Sequence, residues 1–153
     1  MQDAGPPSEL SSHLGFWLRA VSNHVSHAFA AKLAGEGVTV AEWVMLRTLH
    51  GRDPMPPSRV AETMHMTRGA ITRLAERLIG KRLVVRTADP RDGRAQTLSL
   101  TAEGVRLVPV LAALADRNDA EFFGPLSGGQ RTDLEALLRL LIERGGLSAM
   151  PTD

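Results

Sequence analysis

Cysteine is absent from the 153 residues, which excludes disulfides, thiolate zinc sites and thiol-based redox sensing by this chain. No apolar run approaches the ~20 residues that a membrane-spanning helix needs. Met1 to Glu9 carries neither a basic segment nor an apolar run, so no secretion signal is expected and the cytoplasm is the expected compartment. Catalytic signatures are missing too: there is no nucleophile elbow, no phosphate-binding glycine loop, no metalloprotease motif and no acidic pair with a histidine at useful spacing. An enzyme is therefore not expected, and no cofactor is called for.

What is present is ordinary in bulk and uneven in distribution. Hydrophobic residues make up 43% and charged residues 23%, with a formal net charge of +1, the balance of a folded water-exposed domain. From Met55 to Thr101, however, nine Lys/Arg stand against four Asp/Glu, so this segment carries +5 and the remainder −4. Such segregation is the footprint of a chain that meets a polyanion with one face.

Apolar residues at Leu10, Leu14, Trp17, Leu18, Val21, Val25, Ala28, Phe29 and Leu33 recur at steps of three and four, predicting one long helix stopped by Gly35 and Gly37. Thr39 with Glu42 forms a capping box that opens a second helix through Leu46 and Leu49. Gly51 to Pro54 reads as a turn. Pro57 then suits the first turn of a short helix that buries Val60, Ala61 and Met64. Thr67 caps the next helix, with Ile71, Leu74, Leu78 and Ile79 facing inward. Two strands follow, 84–88 and 96–100, flanking the charged turn Asp89-Pro90-Arg91-Asp92-Gly93-Arg94.

Thr101 caps a fifth helix with Val105, Val108, Leu111, Leu114 and Ala115 on its buried side, and Pro109 should kink or weaken it. Ser127 and Gln130 box a sixth helix striped with Leu134, Leu137, Leu138 and Leu141 and ended by Gly145-Gly146. The fold class is thus mainly α, six helices with a small β-ribbon wing. A winged helix-turn-helix lobe (39–101) is joined to a helical dimerisation region (9–34 and 102–145), with flexible tails at 1–8 and 146–153. The long stripes at both ends exceed what a small lobe can cover, which predicts a two-fold homodimer.

With Ile71, Leu74 and Leu78 turned inward, Arg68, Gly69, Thr72 and Arg73 face out on the first half of the fourth helix. Arginine can grip guanine O6 and N7 in a fork, threonine can offer its hydroxyl or methyl, and a glycine permits close approach. Arg91 and Arg94 project from the ribbon tip, where an inserted arginine answers the potential of a narrow minor groove. Asp89 and Asp92 would orient these arginines by charge-assisted hydrogen bonds. Taken singly, each feature also reads as a solvated charged surface, with Arg73 and Arg77 serving only Glu76.

Three stretches in order, Thr67-Arg68-Gly69-Ala70-Ile71-Thr72-Arg73-Leu74, Leu83-Val84-Val85-Arg86 and Asp89 to Arg94, followed by Leu98-Ser99-Leu100-Thr101, resemble the MarR family (multiple-antibiotic-resistance regulators). The resemblance runs from about Leu10 to Arg144. It implies a dimer with interlocked terminal helices whose two lobes bind double-stranded DNA at a palindromic operator, usually as a repressor. By the same resemblance Thr72 and Arg73 fall where the major groove is read, Thr67 and Arg68 where phosphates or bases are met, and Arg91 or Arg94 where the wing enters the minor groove. It further implies release by a small aromatic or phenolic acid held between the dimer helices and the lobe. Candidates there are His13, Trp17, Trp43 and Arg47, since a carboxylate wants a cation beside a flat apolar wall. Two other readings stand beside this one: a non-specific architectural DNA binder, and a metal-responsive regulator using His24 and His27, which sit one turn apart but lack the further ligands that zinc requires.

Overall fold

The computed structural model describes residues 5–147; the outermost parts of both expected tails, 1–4 and 148–153, lie outside the described residues. Six α-helices and one two-stranded antiparallel ribbon follow in the expected order: α1 (Leu14–Ala34), α2 (Val40–Leu49), α3 (Pro57–Met64), α4 (Arg68–Gly80), β1 (Val84–Ala88), β2 (Gln96–Leu100), α5 (Ala102–Phe123) and α6 (Gly128–Gly145). Each expected cap forms. Thr39 with Glu42 and Ser127 with Gln130 make complete capping boxes, while the Thr67 and Thr101 side chains accept from Ala70 N and Gly104 N. These hydroxyls and side chains satisfy donors that the helix leaves orphaned, which is why the boundaries fall there.

Two local expectations are corrected. The first helix does not start at Leu10: Leu10–Ser12 forms a 3₁₀ turn, and His13 is extended before α1 begins. Ser12 Oγ donates to Glu9 O, and the Trp17 indole N–H donates to Ser11 O, so these side-chain bonds compete with helical ones. Val105 lies 48% exposed rather than on the buried side of α5. Pro109 lies inside α5, which runs as one helix from Ala102 to Phe123, and both Pro109 and Val105, whose carbonyl it cannot serve, are on the exposed side.

The core lies in the lobe. Leu33, Met45, Leu46, Val60, Met64, Ile71, Leu74, Leu78, Leu98 and Leu111 are almost wholly buried and form one cluster, each contributing roughly 1.5–3 kcal/mol by leaving water. α3 turns into α4 through His65, held at φ 52, and α4 turns into β1 through Arg82, at φ 60. In both turns the amide just after the left-handed residue returns to the helix: Met66 N donates to Ala61 O and Leu83 N to Leu78 O. The residues read as a plain turn, 51–54, lead into a one-residue third strand. Met55 exchanges both backbone hydrogen bonds with Leu98, at 2.9 and 2.7 Å.

One carboxylate fixes how α4 sits against α2. Glu42, 1% exposed, accepts from the Thr39 amide at 3.0 Å and from Lys81 Nζ at 2.7 Å, with Arg77 Nε 3.9 Å away. Lys81 also donates to Gly37 O. The α2 start and the α4 end are thereby tied at a single point. A second tie joins the wing root to α5: Thr101 Oγ1 donates to Arg82 O, Thr101 N donates to Leu83 O, and a Cβ on Gly104 would meet Leu83 O at 2.2 Å.

Ala in place of Gly104 therefore forces backbone apart and should cost about 1–3 kcal/mol in urea unfolding, whereas Gly128→Ala, with nothing within 4 Å of the new Cβ, should stay within about 0.5 kcal/mol. Glu42→Ala removes half of a capping box and a buried charge partner at once. A loss of about 2–4 kcal/mol is expected in the same measurement.

Candidate nucleic-acid interface

α4 shows two faces. Ile71, Leu74, Ala75 and Leu78 are buried, while Thr67, Arg68, Gly69, Thr72 and Arg73 are exposed at its N-terminal half. A side chain at Gly69 would find only the tip of Arg73, at 4.0 Å, so this part of the helix is open to a large partner. The Thr72 hydroxyl donates to Arg68 O at 2.9 Å. Its proton is spent on the helix, leaving the methyl and the oxygen lone pairs facing outward.

The pattern of ion pairs separates structural cations from free ones. Glu76 is taken by Arg86 at 2.7 Å, and Glu42 is taken by Lys81 and Arg77. Arg73 thus does not serve Glu76. Arg68, Arg73, Arg91 and Arg94 have no acidic partner within 4.0 Å among the described residues. Within α4 and the ribbon, the guanidiniums without an ion pair are those on the outer face of α4 and at the ribbon tip, while Arg77 and Arg86 are paired.

β1 and β2 pair in register from Val84 opposite Leu100 to Ala88 opposite Gln96, with Thr87 and Thr97 hydroxyls in hydrogen-bond reach across the strands at 3.2 Å. Beyond the last pair, Asp89 N donates to Ala95 O and Ala95 N to Asp92 O. The aspartates act differently from expectation. Asp89 Oδ1 accepts from the Arg91 backbone N–H at 2.8 Å and Asp92 Oδ1 from that of Arg94 at 3.1 Å. They fix the backbone of the tip by Asx turns and leave both guanidiniums unengaged.

The ligand candidates divide. A cavity of about 320 Å³ opens among α1, α2 and α5, walled by Val25, Ser26, Phe29, Val40, Trp43, Val44, Ala115, Asn118 and Asp119. Trp43 belongs to it. Arg47 does not: one turn further along α2, it lines a separate outer cleft with Arg52 and Thr63, on which Trp43 also borders. His13 and Trp17 lie away from both, at the exposed start of α1, where His13 is within 3.3 Å of Ser8 Oγ and Leu10 O and Trp17 packs edge-on to Phe16.

Asn118 was not singled out from the sequence, although a polar residue continuing the stripe of Leu111, Leu114 and Ala115 was the available signal. It is 5% exposed; Nδ2 donates to Val25 O and Oδ1 accepts from Lys32, tying α5 to α1. Lys32 also holds Glu121 at 2.9 Å, and this hydrogen bond keeps the Glu121 carboxyl below its ordinary range. His24 lies against Phe122, and among the described residues no three His, Asp or Glu side chains gather as metal ligands. No described helix is long and apolar enough to cross a membrane.

The described order of elements is a winged helix-turn-helix: α3, a tight turn, α4, then the ribbon. The MarR family model matches residues 36–95. A putative transcriptional regulatory protein for the hcr operon of Thauera aromatica is 30% identical over 133 residues, covering 86% of this chain and 80% of that protein. The HTH-type transcriptional repressor MdtR of Bacillus subtilis (strain 168) is 32% identical over 105 residues, 68% of each chain. A probable transcriptional regulator from Pseudomonas aeruginosa, solved as a crystal structure, matches with a TM-score of 0.76 and 30% identity over 88% of this chain and 100% of its own. By sequence over most of its length and by fold, the chain belongs to the MarR family of winged helix-turn-helix, DNA-binding transcriptional regulators.

Proposed function

We propose that this protein is a homodimeric repressor that binds a palindromic operator and lets go of it when a small aromatic or phenolic ligand is bound. The observation that carries the reading is the distribution of unpaired arginines. Acids neutralise Arg77, Lys81 and Arg86 within the lobe, and leave Arg68, Arg73, Arg91 and Arg94 free on the two elements that a winged helix offers to a duplex. In this reading α4 enters the major groove, with Arg73 and Thr72 reading base edges and Thr67, Arg68 and Gly69 setting the approach to phosphates or bases. Arg91 and Arg94 respond to the minor groove beside it.

Dimerisation is supported by surface that the chain itself does not cover. Leu14, Trp17 and Leu18 on α1 and Leu137, Leu140 and Leu141 on α6 are all more than 40% exposed, and α6 buries no residue. A second copy is the partner that such stripes near both chain ends favour, with 9–34 and 102–145 as the dimer region and 39–101 as the DNA lobe. Ligand control is supported by where the cavity lies. Its walls come from α1 and α5 on one side and α2 on the other, so a bound ring touches the dimer helices and the lobe together. A cytoplasmic location follows from the same reading, since the operator is there.

Arg73→Ala should weaken binding to an operator duplex and narrow its preference over a scrambled duplex by about 1–3 kcal/mol, while Arg91→Ala and Arg94→Ala should weaken both duplexes alike and flatten the salt dependence. Mobility shifts on the two duplexes at several salt concentrations read this; equal loss on both duplexes for Arg73→Ala would reject its role in readout. Replacing Leu137 and Leu141 together by Glu should halve the mass seen in sedimentation and abolish operator binding, with helical circular dichroism retained. A double variant that still sediments as a dimer would reject α6 as its seam.

A further inference from the structure

The cavity among α1, α2 and α5 is nearly free of charge. Of the side chains that wall it, Asp119 alone is ionisable, and that carboxylate is held by Arg131 of α6. Lys32, whose ammonium bears on Asn118, is engaged by Asn118 Oδ1 at 3.0 Å and by Glu121 at 2.9 Å and is not among the wall residues. The arginines expected to receive a carboxylate stand elsewhere: Arg47 and Arg52 line the outer cleft, across Trp43 from the cavity.

Apart from Asp119, its polar groups are neutral: Ser26, Trp43 and Asn118. The Trp43 indole N–H and the Ser26 hydroxyl have no partner among the described residues, and Asn118 uses one of its two amide N–H bonds on Val25 O. Around them stand Val25, Phe29, Val40, Val44 and Ala115, an apolar shell that fits one ring in about 320 Å³. An aromatic carboxylate entering here would shed its hydration, find no cation among the wall residues, with Lys32 and Arg131 behind them already engaged by Glu121 and Asp119, and meet the Asp119 carboxylate on the wall. An uncharged ring with one hydrogen-bonding substituent leaves little hydration behind and can accept from Trp43, Ser26 or Asn118.

We propose that this cavity takes an uncharged single-ring ligand, such as a phenol, an aryl alcohol or an aryl amide, and discriminates against the aromatic acid. The inference rests on the ligand-responsive reading given above. It also assigns Ser26, Trp43 and Asn118 as the groups that recognise the substituent.

The test uses the full chain, the four probes benzamide, benzyl alcohol, phenol and benzoate at up to millimolar concentration and neutral pH, and the two indole N–H resonances, assigned with Trp17→Phe. Benzamide should shift the Trp43 resonance and leave that of Trp17 in place, with affinity at least tenfold above that of benzoate. Ser26→Arg, which puts a cation on the wall, should reverse that preference, and Ala115→Leu, which narrows the cavity, should weaken benzamide at least fivefold; circular dichroism checks that both variants fold. Benzoate binding as tightly as benzamide would overturn the charge assignment alone, and loss of that binding in Arg47→Ala would move the acid to the outer cleft. Silence of the Trp43 resonance toward all four probes, with operator binding unchanged by any of them, would overturn the assignment together with the ligand-responsive reading on which it rests.

Discussion

A single buried carboxylate holds the winged helix-turn-helix half of this molecule in shape. Glu42 sits at the third position of α2, where its side chain must return to the Thr39 amide to complete the capping box, and from there it reaches the last turn of α4. A carboxylate taken out of water needs several donors to offset its lost hydration, and here the helix start, Lys81 and Arg77 provide them. The same atoms that begin one helix thus set the position of another. Because α2 is also packed against α1 and α5, the tilt of α4 is referred back to the helices that the dimer reading assigns to the seam.

The charge economy of the lobe follows from this. Eleven Lys and Arg side chains lie from Arg47 to Arg94, yet only some are available to a polyanion. The buried Glu42 commits Arg77 and Lys81 and the exposed Glu76 commits Arg86 to holding elements together, and unpaired arginines remain on the outer face of α4, at the ribbon tip and at the α2–α3 corner. A surface count of arginines would overstate the interface. Pairing decides which of them keep the full charge that draws phosphate and displaces counterions.

Much of the architecture was legible from the residues because it is written in local chemistry. Four caps, the inward stripes of α3 and α4 and the ribbon each depend on neighbours within a few positions, so periodicity and turn residues report them. What escaped depends on distant partners or on a single residue. Met55 pairs with Leu98 through one backbone exchange that no alternation could announce, and His65 and Arg82 occupy left-handed turns usually marked by glycine. The start of α1 departs from the periodicity because the Ser12 hydroxyl and the Trp17 indole bond backbone carbonyls of the segment before Leu14. On the ligand side, Trp43 and Arg47 are one turn apart on α2 and share the outer cleft, but only Trp43 reaches the cavity toward α1 and α5, so spacing alone could not tell which opening each serves. Asn118 reaches Val25 and Lys32 across the helix pair, and only the packing of α5 on α1 reveals what its amide is for.

The absence of a side chain at Gly104 has a mechanical meaning. With no Cβ in the way, the first turn of α5 rests directly on the backbone of Leu83, and Thr101 bonds the residues on either side of the α4–β1 corner. The wing root therefore cannot slide on α5; it is carried by it. α5 has 22 residues, about 33 Å of rigid rod at 1.5 Å per residue, and a tilt of about 3° at its far end displaces the corner by roughly 1.7 Å over that length. The longest helix of the chain is in this sense a lever, with its handle among the exposed stripes and its tip under the arginines.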